Sequence, residues 1–83
     1  MIKITVSEYL NSKGEKEFQA FYNAEPICKN SKDEQFVSTY ANSVYHQQRK
    51  AVLTKYNSIT NTDTIIEAKG YTKNEMKKLK LWQ

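Results

Sequence analysis

The feature that most limits the fold of this chain is a long segment, from Asp33 to Tyr56, that contains neither glycine nor proline. Apolar residues recur through it at steps of three and four, the spacing of one face of an α-helix. Ser31 and Glu34 just before it have the spacing of a helix-capping pair. The segment therefore predicts one long amphipathic helix, with Tyr40 and Tyr56 as core tyrosines. Its periodic residues are Phe36, Val37, Tyr40, Ala41, Val44, Tyr45, Val52 and Tyr56.

The N-terminal part of the chain alternates apolar and polar residues, which predicts a β-hairpin with strands at about residues 2–10 and 15–23. The polar turn between them ends at Gly14, which can adopt the left-handed conformation that closes such turns. A competing interpretation begins a helix at Thr5, because Thr5 and Glu8 also have capping-box spacing. The hairpin is favoured because β-branched residues crowd the first strand.

The C-terminal part offers a similar choice. Residues 62–68 predict either a further strand or a short helix that stops at Gly70. Thr72 and Glu75 have capping-box spacing and open a lysine-rich amphipathic helix over residues 73–82. Two short helices around Gly70 would form a helix-turn-helix, and the strand is the favoured alternative.

Together these elements predict one small α+β domain over residues 1–83: an N-terminal β-hairpin, one long amphipathic helix, a further strand and a short C-terminal helix. The length allows a single hydrophobic core. The only cysteine, Cys28, excludes an intrachain disulfide, and no apolar run approaches the roughly 20 residues of a membrane span. We therefore expect a cytoplasmic protein.

Catalytic and cofactor chemistry find little support in the composition. One histidine, His46, and the single Cys28 have no partners at metal-ligand spacing, so no metal site is predicted. Gly14 and Gly70 are the only glycines, so no phosphate-binding glycine loop can be assembled and no cofactor is expected. The sequence predicts a protein that is not an enzyme.

Positive charge is concentrated in the C-terminal half. Residues 1–35 carry five lysines against six acidic residues, whereas residues 36–83 carry eight basic residues against three acidic ones. A surface of this kind attracts phosphate backbones or acidic protein patches. The candidate binding residues are the lysines of the C-terminal segment and a second patch on the long helix: Lys69, Lys73, Lys77, Lys78 and Lys80, with Tyr45, Arg49 and Lys50.

Two functions are consistent with this surface. The first is a non-enzymatic protein that docks on a nucleic-acid backbone, because lysine neutralises phosphate without reading base edges. The alternative is a small inhibitor, encoded by a phage or mobile element, that binds a host nucleic-acid-handling complex such as a CRISPR effector. The abundance of lysine and asparagine, which AT-rich codons encode, motivates that second hypothesis.

Overall fold

The structure is a computed structural model that describes residues 1–78. It confirms an α+β domain with an N-terminal strand pair, one principal helix, further strands and a short C-terminal helix. In chain order the elements are β1 (Lys3–Leu10), β2 (Lys16–Tyr22), β3 (Glu25–Pro26), α1 (Glu34–Gln47), β4 (Ala51–Asn57), β5 (Thr62–Lys69) and α2 (Lys73–Lys78).

The five strands form one mixed sheet in the order β3-β2-β1-β4-β5. Neighbouring strands are antiparallel except for β1 and β4, which run parallel at the centre. Parallel neighbours need a crossover connection, and α1 supplies it by packing across one face of the sheet. The N-terminal ends of β1 and β4 therefore lie at the same end of the sheet as the C-terminal ends of β5 and α1.

The predicted N-terminal hairpin is confirmed, and the alternative helix is wrong. β1 and β2 pair antiparallel from Ile4 opposite Tyr22 to Leu10 opposite Lys16. Asn11 organises the turn, because its side-chain oxygen accepts from the backbone N–H groups of Lys13 and Glu15. Backbone bonds across the turn, with a positive φ at its glycine, then fix the register of the two strands.

The predicted long helix is wrong in its second half. Helix α1 ends at Gln47, Gln48 has extended backbone angles, and residues 51–57 form strand β4. The four residues Ala51 to Thr54 are all buried, because β4 lies between two strands and neighbouring side chains cover even its face away from α1. A strand buried on both faces is a continuous apolar run, and periodicity cannot distinguish such a run from a helix segment.

The start of α1 also differs from the prediction. Asp33 is the N-cap and accepts a hydrogen bond from the backbone N–H of Phe36, at 3.2 Å. Ser31 instead accepts from the backbone N–H of Asp33, so it orders the capping residue rather than the helix. An aspartate one residue before a helix is as good a cap as serine, and its negative charge also interacts favourably with the positive end of the helix dipole.

One face of α1 and one face of the sheet enclose the core. Helix positions 37, 41 and 45 are fully buried, whereas Phe36 and Tyr40 lie on the outer side, 58% and 40% exposed. The prediction that Tyr40 lies in the core is wrong. A helix that packs on a sheet buries only one stripe of its surface, and that stripe contains Tyr45 and not Tyr40. The core residues are Ile4, Val6, Phe18, Ala20, Val37, Ala41, Tyr45, Ala51 and Leu53.

In the C-terminal part, the structure confirms the favoured strand over the alternative helix. Residues 62–69 form β5, which pairs with β4 through a register shift between Leu53 and Thr54, so the helix-turn-helix alternative is wrong. Both bonds of the Thr72–Glu75 capping box are present, each at 3.1 Å. Helix α2 runs over Lys73–Lys78, and the rest of its predicted span, residues 79–82, lies outside the described residues. No helix within residues 1–78 has the length and hydrophobicity to cross a membrane.

Candidate functional site

The predicted basic residues come from three places in the chain that meet at one end of the sheet: the α1–β4 connection, the end of β5 and α2. Helix α1 ends there, β4 begins there, and β5 ends there before α2. We call this surface the basic end and define it by the six cations Arg49, Lys50, Lys69, Lys73, Lys77 and Lys78.

Gly70 makes this juxtaposition possible. It has a φ of +81°, and a Cβ placed on it would lie 2.6 Å from the carbonyl oxygen of Arg49 and 2.9 Å from the Cα of Lys50. Only a residue without a side chain allows the chain leaving β5 to lie directly on the α1–β4 connection. The chain therefore turns sharply at Gly70, and the segment that it contacts there is the one that carries Arg49 and Lys50.

Lys69 lies above the last turn of α1. Its ammonium group donates to the carbonyl oxygen of His46 at 3.0 Å and lies 4.9 Å from the centre of the Tyr45 ring. A cation at a helix C-terminus is stabilised by the unpaired carbonyl groups there, and the aromatic face adds a second favourable interaction. Lys69 is therefore held in position by the fold, with one hydrogen bond already made.

Tyr45 is not part of an exposed patch, contrary to the sequence prediction. Only 1% of it is exposed, and its buried hydroxyl makes no hydrogen bond within the described residues. Burial raises the pKa of Tyr45 to about 12, and the negative charge of Glu67 adds to the rise. The prediction failed because it extended the helix to residue 56 and so placed Tyr45, Arg49 and Lys50 on one helical surface.

Lys50 is joined to α2. Its ammonium group lies 2.6 Å from a carboxylate oxygen of Glu75 and 4.7 Å from the centre of the Tyr71 ring. The hydrogen bond from Lys50 lowers the pKa of Glu75, and the same bond raises the pKa of Lys50. The interaction fastens α2 to the start of β4, so Lys50 is a link within the basic end rather than a free cation.

Glu75 and Tyr71 were not among the predicted site residues, although both position the cations around them. The capping-box spacing of Thr72 and Glu75 was visible in the sequence, but it assigned Glu75 a local role only. Its second carboxylate oxygen reaches Lys50, 25 positions away in the chain. An interaction of that range is set by the packing of α2 and leaves no local pattern in the sequence.

The remaining cations of the basic end are exposed and have no carboxylate partner within residues 1–78. On α2, Glu75 and Met76 are half-buried toward the domain, which leaves the lysines on the outer sides of the helix. Lys80, the last predicted binding residue, lies outside the described residues. The four free cations are Arg49, Lys73, Lys77 and Lys78.

Lysines in the rest of the molecule are mostly neutralised. Lys3 pairs with Asp63 at 2.7 Å, Lys32 with Glu15 at 2.8 Å, and Lys55 with Glu34 at 3.1 Å. Lys16 lies 3.8 Å from the buried Glu8, which also accepts from Asn57. Two lysines away from the basic end, Lys13 and Lys29, have no such partner in the described part of the chain. The free positive charge of the described structure is therefore concentrated at the basic end.

No family model, curated protein or solved structure matches this chain. Within residues 1–78, no three side chains of the metal-ligating types converge. What the basic end offers is positive charge fixed at defined positions on an exposed surface.

Proposed function

We propose that this protein is a non-enzymatic, cytoplasmic protein that docks on a nucleic-acid backbone through its basic end. The observation that supports the proposal is the partition of charge: within residues 1–78, Arg49, Lys73, Lys77 and Lys78 have no carboxylate partner, whereas Lys3, Lys16, Lys32 and Lys55 each have one.

Free cations are the ones that interact best with phosphate. A lysine already paired with a carboxylate has to lose that partner before it binds a phosphate, whereas an unpaired lysine exchanges only water and counterions. Lys50 and Lys69 act as positioning residues, because their hydrogen bonds hold α2 and the end of β5 beside the α1–β4 connection. The expected affinity depends on salt and carries little base specificity, since three of the four free cations are lysines.

The test compares two double variants of equal charge. Arg49→Gln with Lys77→Gln removes two free cations of the basic end. Lys13→Gln with Lys29→Gln removes two unpaired lysines elsewhere, in the β1–β2 turn and in the loop after β3. Binding to labelled oligonucleotides, single-stranded and duplex, is measured by fluorescence anisotropy from about 20 mM to about 200 mM salt.

The basic-end variant is expected to bind at least about tenfold more weakly and to lower the slope of log K against log salt by about 2, because each substituted cation no longer neutralises a phosphate. The control variant is expected to keep the slope of the unmodified protein. Equal reductions in both variants would show that net charge alone attracts the nucleic acid. No binding by the unmodified protein at the lowest salt would remove the proposal.

A protein target is the second candidate, and a separate surface favours it. Phe36 and Tyr40 are exposed one turn apart on the outer side of α1 and line a shallow hollow with Asp33, Thr39 and Ser43. Exposed aromatic side chains are common anchors of protein interfaces. This surface suits an inhibitor or adaptor that binds a host nucleic-acid-handling complex, such as a CRISPR effector.

The two candidates respond to different substitutions. A partner retained from nuclease-treated host lysate, lost with Phe36→Ser and Tyr40→Ser but kept with Arg49→Gln and Lys77→Gln, would support the protein target. Loss of every partner after nuclease treatment would favour the nucleic-acid proposal.

A further inference from the structure

The face of the sheet opposite α1 carries a trough that the sequence did not indicate. No helix within the described residues covers this face. On the central strand β1 it presents two small side chains, Thr5 and Ser7, and on the flanking strands two aromatic ones. Phe21 of β2 is opposite Thr5, and Tyr56 of β4 is opposite Ser7.

Small residues between aromatic ones make a hollow of about 420 Å³, and Lys3, Asn23, Ala24 and Asp63 complete its lining. The two aromatic residues are two strand spacings apart across the sheet, about 10 Å, and are offset by two residues along it, about 7 Å. That width admits a planar ring, about 3.5 Å thick, against either wall. The trough therefore has the shape to receive the face of a flat heteroaromatic group.

Hydrogen bonds hold one wall and part of the floor. The Tyr56 hydroxyl donates to Asn61 at 2.8 Å, which holds the end of its ring. On the floor, the hydroxyls of Thr5 and Thr54 bond to each other at 2.9 Å, whereas the Ser7 hydroxyl makes no hydrogen bond within residues 1–78. Ser7 thus offers one free donor and acceptor to the edge of an inserted ring.

Two further hollows, which share lining residues, connect the trough with the basic end. Lys3 and Asp63 also line the next hollow along the sheet, together with Met1. Met1 lines a third hollow with Lys50, Tyr71 and Glu75, at the base of α2. The three hollows therefore form a series from the aromatic walls to Lys50 at the base of α2, and the Lys3–Asp63 ion pair lies between the first two.

We infer that the trough stacks an unpaired base of a single-stranded nucleic acid while the basic end holds the adjoining backbone. This inference rests on the proposed function and specifies its ligand. A duplex offers only base edges to a protein, because both faces of each base are covered by stacking, whereas a single strand can turn a base face onto an aromatic ring. Stacking of this kind tolerates any base, so the aromatic walls by themselves are expected to confer little base preference.

The inference is tested with Tyr56→Leu and Phe21→Leu, which keep apolar bulk but remove the aromatic face. Tyr40→Leu on the outer side of α1 is the matched control. Ser7→Val is a second, independent variant that fills the floor of the trough with a residue suited to a strand. The probes are an oligothymidylate of about twelve nucleotides, the corresponding oligouridylate, and a duplex of equal length. Circular dichroism and urea unfolding of each variant confirm folding before binding is measured.

Each trough variant that folds is expected to weaken single-strand binding about tenfold, with the salt slope and duplex binding unchanged. The control is expected to bind as the unmodified protein does. Comparison of the two single strands shows whether DNA or RNA is preferred. Unchanged single-strand binding in the folded variants would overturn the inference.

The pattern of failures separates this inference from the proposal beneath it. Loss of affinity with Arg49→Gln and Lys77→Gln, but none with Tyr56→Leu or Ser7→Val, overturns the trough alone. Loss of affinity with Tyr56→Leu and Ser7→Val, but none with Arg49→Gln and Lys77→Gln, would support base stacking in the trough and overturn backbone binding by the basic end. No binding by the unmodified protein removes both.

Discussion

The two ends of the sheet in this protein are both built around a glycine with positive φ, yet they are built differently. At the β1–β2 end, Gly14 has open space around it, and the side chain of Asn11 organises the turn locally. At the basic end, Gly70 lies against the backbone of Arg49 and Lys50, which arrive from a distant part of the chain.

Charge follows the same division. Toward the β1–β2 end, Lys16 lies near Glu8 and Lys32 binds Glu15, so Lys13 is the one lysine of the turn without a carboxylate partner in the described residues. At the basic end, Lys50 is paired and Lys69 is bound by the end of α1, while four further cations have no carboxylate partner in the described residues. The comparison indicates that one end is a self-contained structural turn, whereas the other assembles distant segments to hold charge at an exposed surface.

The largest expected effect concerns the attachment of the basic end to the core. Tyr45→Ala should lower the free energy of unfolding by about 3–5 kcal/mol, because it empties a fully buried position beneath Lys69. Tyr45→Phe should cost much less, below about 1 kcal/mol, because it keeps the ring and removes only a hydroxyl that lies near Glu67 without a well-formed hydrogen bond in the described residues.

Urea unfolding measures both changes, and Tyr40→Ala on the exposed side of α1 is the control, with an expected decrease below about 1 kcal/mol. Similar decreases for Tyr40→Ala and Tyr45→Ala would mean that the buried Tyr45 ring does not anchor the basic end to the core.

The two glycines provide a matched pair with an intermediate effect. Gly14→Ala should cost about 1 kcal/mol, the penalty of a left-handed conformation for alanine where space is open. Gly70→Ala should cost about 2–3 kcal/mol, because the added methyl group also collides with backbone atoms of Arg49 and Lys50.

Both changes are measured by urea unfolding, and the difference between them isolates the effect of the close approach at Gly70. Equal costs would show that the α1–β4 connection moves freely away from Gly70, and the distinction between the two ends would fail on that point.

The smallest expected effect is a pH dependence confined to α2. The pKa of Glu75 is lowered by Lys50, so the contribution of this pair is present above the ordinary value of 4.5 and is lost as pH falls through the lowered pKa. The pKa of Lys50 is raised, so the contribution is present below 10.5 and is lost as pH rises through the raised pKa.

Amide chemical shifts and hydrogen exchange of α2, followed from neutral pH into acid, measure this change. Glu75→Gln keeps the capping box but should abolish the acid transition in α2, while the Lys32–Glu15 pair continues to titrate. Because the side chains of Lys50 and Glu75 remain 47% and 41% exposed to solvent, added salt should reduce the effect. An acid transition that persists in the variant would assign it to another group.

Local signals predicted the N-terminal hairpin, the turn at Gly14, β5 and the capping box at Thr72 and Glu75. Each depends on residues close together in the chain, so alternation, β-branching and cap spacing were sufficient evidence. The half of the long helix that became β4 was missed, because a strand covered on both faces has no alternation to reveal it.

Local sequence signals were also insufficient to define the candidate site. The concentration of basic residues after position 35 was evident from composition, but which of them are free was not. Lys50 and Lys69 acquired partners through the packing of α2 and of β5 against α1, and Tyr45 left the predicted surface for the core. The trough between Phe21 and Tyr56 joins strands that are neighbours of β1 only in the folded sheet.

By itself, the sequence determined the α+β class, the first hairpin, the last strand and the positive charge of the C-terminal half, because composition and local conformational preference decide these properties. Only the tertiary structure decided where α1 ends, which cations are neutralised and which residues line the open face of the sheet. Those properties depend on interactions between residues far apart in the chain, and local sequence patterns do not reveal the energies of such interactions.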